Sequence, residues 1–184
     1  VSSLINRNKK SGVTLHYIDK GIDSGKILLR KEIILSKNES YNSIQLKLSI
    51  LISNYLPKFL DDLKSGKIIP LMQKSVNRKY YSKSSKSSKE INFSMSTNQI
   101  SVLVNTFKGQ YYKSFFVYRE HTIYVGNSEP VELESNFVLG EIIDQALGYV
   151  IIACSNGAVI FSDLRVENYS PEESLKLINK IFHE

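Results

Sequence analysis

The stretch that decides the fold runs from Ser11 to Ile27 and reads S-G-V-T-L-H-Y-I-D-K-G-I-D-S-G-K-I. Val13 to Ile18 has the β-branched and apolar bias of a strand, and a second such run follows from Ile27 to Leu35. Between them, two glycines bracket a carboxylate, Asp23. Glycine has no Cβ, so the backbone can turn tightly there and approach a ligand closely. The pattern indicates an acid presented at a strand mouth, as α/β sheets often do, although Asp-Ser-Gly also forms ordinary turns.

The composition is typical of a soluble globular protein. Of 184 residues, 42% are hydrophobic and 23% are charged, which allows one large domain or two small ones. The longest apolar stretches, such as Tyr149 to Cys154, are far too short to span a bilayer. Cys154 is the single cysteine, so no internal disulfide can form and a reducing cytoplasm is the expected location. We expect Cys154 to be a small core residue.

The net charge of +6 is distributed unevenly along the chain. Residues 1–63 carry +4, residues 64–89 carry +8 without an acidic residue, and residues 90–184 carry −6. Ser82 to Lys89 is polar and of low complexity, which is most simply a flexible linker. A basic run can also mark a nucleic-acid contact. The charge pattern therefore predicts a basic connector before an acidic C-terminal unit.

The first predicted unit, residues 1–69, reads strand, loop, strand and long helix. Ser40 is a candidate N-cap for a helix from Tyr41 to Lys64, whose apolar residues recur in three- and four-residue steps. Pro57 should kink or interrupt this helix because it donates no backbone hydrogen bond. Gly66 should close the helix.

The second predicted unit, residues 90–184, follows a connector placed at residues 70–89. A helix capped by Ser96 or Thr97 should run through Phe107, and Pro171 should open a closing helix to Phe182. The strand candidates are Ser114 to Arg119, Thr122 to Val125, Gly140 to Asp144, Tyr149 to Cys154, and Ala158 to Val166. A strong hairpin signal, Asn156-Gly157, lies between the last two. The pattern predicts a small, mainly-β, partly open barrel with flanking helices.

Several motifs resemble those of one enzyme family. G-V-T-L-H at Gly12 to His16, followed by D-x-G-I-D-x-G-x-I at Asp19 to Ile27, is similar to the closing motif of the folate-dependent formyltransferases. G-x-I-x-P-x-x-Q at Gly66 to Gln73 and E-I-N-F-S at Glu90 to Ser94 resemble the end of that family's core and the start of its appended domain. The resemblance implies an α/β fold for the first unit, as the C-terminal portion of a Rossmann-like catalytic domain. It also implies an appended barrel like an oligonucleotide-binding (OB) fold.

The resemblance assigns a chemical role to Asp23. Formyl transfer to an amine passes through a tetrahedral oxyanion, and the attacking nitrogen must lose a proton. In the family an Asn, a His and an Asp share these tasks, and Asp23 matches the Asp. The Asn and the His have no counterpart here, since the family places them upstream of the segment that begins at Val1. We therefore expect the chain to be a fragment that is inactive alone.

Further site residues follow from the same resemblance. The loop residues that would lie against the pterin of the donor, 10-formyltetrahydrofolate, are Asp19, Lys20, Gly21 and Ile22. The residues expected to support the site structurally are Gly12, His16 and Gly25. For His16 a hydrogen-bonding role is favoured over proton transfer. No Cys/His cluster has metal-ligand spacing, so no metal is expected.

Three functions remain open at this point: a sugar N-formyltransferase acting on a nucleotide-linked amino sugar, a methionyl-tRNA formyltransferase, and a non-catalytic binding or oligomerisation fragment. The charge of residues 90–184 would repel RNA, which favours the sugar. Asn105-Thr106-Phe107 also departs from the Arg-Ala-Phe usual in similar tRNA enzymes. Strands without neighbours would expose apolar edges, so residues 1–60 should be unstable alone or pair with another copy, as in a homodimer.

The second unit is rich in aromatic residues. On a barrel surface such rings could stack on bases, whereas within a strand pair they need no ligand. We expect at least half of the following to lie in the core: Tyr111, Tyr112, Phe115, Phe116, Tyr118 and Tyr124.

Overall fold

The computed structural model describes residues 2–36, 39–73, 85–109, 113–133 and 137–183. Its elements, in chain order, are α1 (Ser2–Ile5), β1 (Lys10–His16), β2 (Ile27–Ile34), α2 (Tyr41–Lys64), α3 (Thr97–Phe107), β3 (Ser114–Tyr118), β4 (His121–Val131), β5 (Ile142–Ala146), β6 (Tyr149–Cys154), β7 (Gly157–Val166) and α4 (Pro171–His183). A 3-10 turn, Ser87–Lys89, precedes α3. In the part of the chain so described, no helix is both long and apolar enough to cross a membrane.

The first unit is built on a hairpin. β1 and β2 pair antiparallel, in a register that runs from Lys10 opposite Ile34 to His16 opposite Ile27. The predicted strand mouth is therefore the turn end of this hairpin, where the loop at residues 17–26 connects the two strands. Helix α2 contacts both strands, but Ile44 is its single buried hydrophobic residue.

Helix α2 has the predicted boundaries. The backbone N–H of Ser43 donates to Ser40 Oγ, and that of Ser40 donates to Ser43 Oγ, which forms a reciprocal cap. Gly66, at φ +70°, follows the last turn as predicted. The predicted interruption at Pro57 is wrong, because the helix continues through it. Pro57 and Ser53, whose carbonyl loses its partner, are both exposed, so water can satisfy that oxygen.

The second unit combines helices with one antiparallel sheet of five strands, in the order β3-β4-β7-β6-β5. Within the described residues no strand pair joins β3 to β5, so the sheet is open and does not form a closed barrel. Cys154 pairs with Gly157 across a two-residue connection, Ser155-Asn156, which confirms the predicted hairpin and places its turn one residue before Asn156-Gly157. Mixed α/β content and antiparallel pairing therefore describe this unit.

Strand β4 is longer than the sequence predicts. It extends to Val131 because its second half, past Gly126, still pairs with β7. A Cβ at Gly126 would lie 1.9 Å from Asp163 Oδ2, so glycine allows the two strands to stay paired there. Pro130 is tolerated because β3 covers only His121 to Val125, which leaves the other edge of β4 unpaired at the proline.

The core of the protein lies between this sheet and its helices. Ile100, Val104 and Phe107 of α3 are at most 1% exposed, as the helical spacing predicts. Cys154 is buried, and this burial raises the pKa of its thiol, as suits a core residue. Helix α4 is tied to the sheet by Ser174 Oγ, which accepts from the backbone N–H of Val166 at 3.1 Å.

Candidate active site

The loop between β1 and β2 is closed by backbone contacts at its neck, the point where Tyr17 and Lys26 lie opposite each other. The N–H of Tyr17 donates to the carbonyl of Lys26 at 3.0 Å. Gly25 is buried against the same turn, and a Cβ there would lie 1.7 Å from the carbonyl oxygen of Tyr17. Glycine is therefore required at residue 25, because any side chain would force the neck of the loop apart.

Asp19 braces the loop from inside. Its Oδ1 accepts a hydrogen bond from the backbone N–H of Gly21 at 3.0 Å and another from Ser24 Oγ. Such side-chain-to-backbone bonds are typical of aspartate in tight turns. In the structure the Asp19 carboxylate therefore stabilises the loop through internal hydrogen bonds, whereas the family resemblance predicts that Asp19 binds the donor.

Asp23 presents its carboxylate to solvent beside His16. Asp23 adopts φ +51°, a conformation uncommon for residues other than glycine, and its side chain is 84% exposed. Its Oδ1 lies 3.5 Å from Nε2 of His16, while Nδ1 of the same ring lies 2.8 Å from the carbonyl oxygen of Tyr17. A carbonyl oxygen only accepts, so Nδ1 carries a proton and Nε2 faces the carboxylate. The structure therefore brings together two predicted site residues.

The remaining predicted loop residues face outward. Lys20, Gly21 and Ile22 are exposed, and Ile22 retains 74% of its accessible surface. Its neighbour Ile18 is 96% exposed. Two branched apolar side chains of one loop thus lie in solvent. By contrast, Gly12 lies four residues before His16, within β1 and opposite Glu32.

Gln73 is the residue of this site to which the sequence assigned no role. Its Nε2 donates to the carbonyl of Asp23 at 3.0 Å and to that of Gly25 at 2.6 Å. Its backbone is held near the hairpin because Leu71 and Ile27 exchange two backbone hydrogen bonds of 2.8 Å. The signal that could have drawn attention to Gln73 is its place at the end of the G-x-I-x-P-x-x-Q motif, but spacing along the chain does not reveal a contact 50 residues away.

The other candidates from the sequence lie elsewhere. His121 lines a separate surface hollow between β4 and α4.

The predicted aromatic residues of the second unit contribute mainly to packing. Phe116 is fully buried, Tyr118 packs against the core, and Phe115 is buried beside Tyr124. Three of the six predicted aromatic residues thus serve packing, while Tyr111 and Tyr112 lie outside the described residues. In the part of the chain that the structure covers, no group of three or more His, Cys, Asp or Glu side chains could hold a metal ion.

The described ends of the basic connector are packed against the protein. Lys86 Nζ pairs with Glu167 at 2.8 Å and lies 5.5 Å from the ring centroid of Phe115. Lys89 Nζ lies 4.9 Å from the ring centroid of Phe107, and burial lowers the pKa of Lys89. Residues 74–84, which include most of the predicted linker, lie outside the described residues.

Comparison with known proteins identifies the C-terminal half. The family model described as the formyl transferase C-terminal domain matches residues 83–181. The methionyl-tRNA formyltransferase of Alkaliphilus metalliredigens (strain QYMF) is 23% identical over 171 residues, which cover 92% of this chain and 54% of that protein. The chain thus spans about half the length of this curated relative.

Two solved structures share the fold at low identity. HypX from Aquifex aeolicus, in complex with tetrahydrofolic acid, is similar with a TM-score of 0.71 at 17% identity, over 91% of this chain and 29% of that one. WlaRD, a sugar 3N-formyltransferase solved in the presence of dTDP and 5-N-formyl-THF, has a TM-score of 0.65 at 21% identity, over 92% and 60% of the two chains. At these identities the likeness establishes the fold alone.

Proposed function

The chain belongs to the formyl transferase family, whose C-terminal domain model matches more than half of it, and we propose that it forms part of an N-formyltransferase that uses 10-formyltetrahydrofolate. The observation that carries this proposal is the exposed Asp23 carboxylate beside His16, on a loop braced from within and from the connector. A rigid loop that presents one solvent-facing acid suits proton transfer, which requires a group held in a fixed position.

The proposed chemistry divides between donor and chain. The bound donor supplies the formyl carbon that the acceptor amine attacks. Asp23 is proposed to orient the group that takes the proton from that amine, or to hold the positive charge that this group acquires. In the family an Asn stabilises the oxyanion and a His accepts the proton, both from a region upstream of this motif. We therefore propose that the 184-residue chain transfers no formyl group without that region.

The loop at Asp19 to Ile22 is proposed to lie against the pterin. Two features support this placement. The backbone of the loop is held in one shape by the Asp19 carboxylate, and Ile18 and Ile22 expose apolar surface that a flat ring would cover. Lys20 is solvated and is not needed for this contact.

A nucleotide-linked amino sugar is the proposed acceptor. Residues 90–184 carry −6, so they repel a polyanion such as tRNA. Two connector lysines, Lys86 and Lys89, are engaged by Glu167 and by the ring of Phe107, which reduces the positive charge available to phosphates. The similarity of fold to WlaRD agrees with this acceptor.

Methionyl-tRNA is the second candidate acceptor. The relative from Alkaliphilus is named a methionyl-tRNA formyltransferase, and residues 64–89 carry +8. A segment of that charge could neutralise several phosphates.

Calorimetry separates the two candidates. The chain, expressed with the upstream formyltransferase region that its relatives carry, would be titrated with tRNA and with dTDP- and UDP-linked amino sugars in the presence of folate. Micromolar binding of one sugar without salt-sensitive tRNA binding supports the proposal. Salt-sensitive tRNA binding without sugar binding replaces the acceptor with tRNA. Calorimetry reports binding only, so formylated product would be assayed separately. The absence of such product with both acceptors would contradict the proposed reaction.

Two further proposals concern the fold of the second unit and the pairing of two copies of the chain. The five antiparallel strands support an OB-like plan for residues 90–184, and an experimental structure in which the sheet does not curve toward a barrel would contradict this plan. Pairing with another copy through the first unit is supported by exposed apolar side chains on β2 and α2, namely Ile34, Leu46, Ile50 and Leu60. A monomer in sedimentation whose amides are protected throughout Val13 to Leu35 would contradict this pairing.

A further inference from the structure

Gln73 connects the segment that leaves the first unit to the loop that carries Asp23. The two N–H groups of a glutamine amide allow two donated hydrogen bonds, and both acceptors are present here. One is the carbonyl of Asp23 at 3.0 Å, and the other is the carbonyl of Gly25 at 2.6 Å. A single side chain thus donates hydrogen bonds to the backbone carbonyls on both sides of Ser24.

The position of Gln73 is itself fixed by the hairpin. Leu71, two residues earlier, forms a bridge with Ile27 through two backbone hydrogen bonds of 2.8 Å each. Ile27 is the first residue of β2 and directly follows the loop. Gln73 therefore extends from backbone that is already attached to the strand, which lowers the entropy lost when its side chain is held in place.

The backbone conformation of Asp23 gives these two hydrogen bonds a structural role. At φ +51° this residue occupies a left-handed conformation that is uncommon outside glycine, although aspartate tolerates it better than most residues, and neighbouring contacts help to maintain it. Asp19 fixes the loop through the N–H of Gly21 and through Ser24 Oγ. Gln73 fixes the carbonyl groups on the opposite side, including that of Asp23 itself.

We infer that Gln73 is a positioning residue, which holds the backbone of Asp23 in the conformation that directs its carboxylate toward His16. The inference rests on the proposed role of Asp23 in formyl transfer. Gln73 acts through two donated hydrogen bonds and touches neither the donor nor the acceptor. Because it belongs to the connector, the geometry of Asp23 depends on how the connector is seated against β2.

The first test measures the loop without any ligand. Amide hydrogen exchange would be followed by NMR in the 184-residue chain, at the N–H of Tyr17 and of Ile27, which pair with Lys26 and Leu71 at the neck of the loop. Gln73→Ala removes the side chain, and Gln73→Glu keeps its shape but removes both donors. Both variants should exchange about tenfold faster at these amides, given the usual strength of two hydrogen bonds. Met72→Ala, at an adjacent and 74% exposed side chain, is the matched control and should exchange like the wild type.

The second test measures turnover in the chain expressed with the upstream formyltransferase region. Both Gln73 variants should lower kcat by about ten- to a hundredfold, because a displaced catalytic group loses its alignment. KM for the donor and for the acceptor should stay within about twofold, since Gln73 contacts neither. A residue needed only for packing would be rescued by the isosteric Gln73→Glu.

The outcomes separate this inference from the proposed function. Wild-type exchange in Gln73→Glu, or unprotected neck amides in the wild type, overturns the positioning role. Full kcat in Gln73→Glu also overturns it. A wild-type protein that forms no formyl product contradicts the proposed function, while the exchange experiment still decides whether Gln73 holds the loop.

Discussion

His16 Nε2 lies 3.5 Å from Asp23 Oδ1 at the end of the β1–β2 hairpin where the loop joins the two strands. The carbonyl of Tyr17 accepts from the other ring nitrogen, so a neutral His16 directs a lone pair at the carboxylate. The loop thus brings the imidazole ring and the carboxylate proposed for formyl transfer next to each other.

Replacing Asp23 by Asn should separate activity from stability. Asp23→Asn removes the negative charge at nearly constant shape, and kcat should fall by about 10²- to 10⁴-fold, the range typical of a lost acid–base group. The side chain is 84% exposed, so the free energy of unfolding should change by less than about 0.5 kcal/mol. Initial rates of formyl transfer and urea denaturation measure the two effects. Lys26→Gln, at an exposed side chain at the end of the loop, is the control, and an equal loss of activity there would contradict the specific role of Asp23.

Adding a methyl group at residue 25 should open the loop. Gly25→Ala places a Cβ 1.7 Å from the carbonyl oxygen of Tyr17, and backbone atoms must move to relieve this clash. The expected cost is about 1–3 kcal/mol of unfolding free energy, together with faster amide exchange at Tyr17. Gly21→Ala meets the hydroxyl of Ser24 at 2.2 Å, and a rotation of that side chain relieves the clash without moving the backbone, so it should cost less. Equal losses in the two variants would mean that the neck of the loop is not tightly closed.

Glu39 should make stability depend on pH in the acidic range. Hydrogen bonds from Lys47 and then from Ser43 lower the pKa of Glu39 from 4.5 to about 2. The folded state therefore holds this proton more weakly than the unfolded chain. The resulting stability is fully present above pH 4.5 and is lost as the pH falls toward about 2.

The matching variant is Glu39→Gln. It should lower the free energy of unfolding by about 1–2 kcal/mol at pH 7, a value reduced because Lys47 is half exposed, and it should flatten the acid dependence. Chemical denaturation at several pH values measures both effects. Glu32→Gln, which breaks an exposed pair with Lys10, serves as the control and should leave stability essentially unchanged. A wild-type curve that is flat between pH 4.5 and 2 would contradict the role of Glu39.

Phe116 should be among the most sensitive positions of the core. It is fully buried, and its ring lies 5.6 Å from that of Phe93 and 5.5 Å from that of Phe161. Phe116→Ala should cost about 3–5 kcal/mol, because it leaves a cavity among these rings. Val117→Ala, at the next residue and 50% exposed, should stay within about 0.5 kcal/mol. Thermal denaturation followed by near-UV circular dichroism compares the two, and similar melting temperatures would contradict the assigned core.

The elements that short-range patterns control were predictable. Helix α2 begins after Ser40 because a hydroxyl cap and a three- to four-residue apolar repeat act within a few positions of each other. The same holds for the hairpin at Asn156-Gly157, whose turn chemistry is local. Strand β4 was underestimated because Gly126 and Pro130 are locally unfavourable to strands, and pairing with β7 overrides that preference.

The candidate site was predictable in its residues and unpredictable in its geometry. The glycine spacing around Asp23 marks a tight loop, since only residues without a Cβ permit the approach seen at Gly25. Which nitrogen of His16 faces the carboxylate, and which side chain holds the loop from outside, depend on contacts between distant parts of the chain. Gln73 reaches its two acceptors from about 50 residues away, and loop closure over that distance is determined by the packing of the whole first unit. The local sequence pattern therefore identified Asp23 as the candidate acid, whereas packing between distant parts of the chain determines the orientation of its carboxylate.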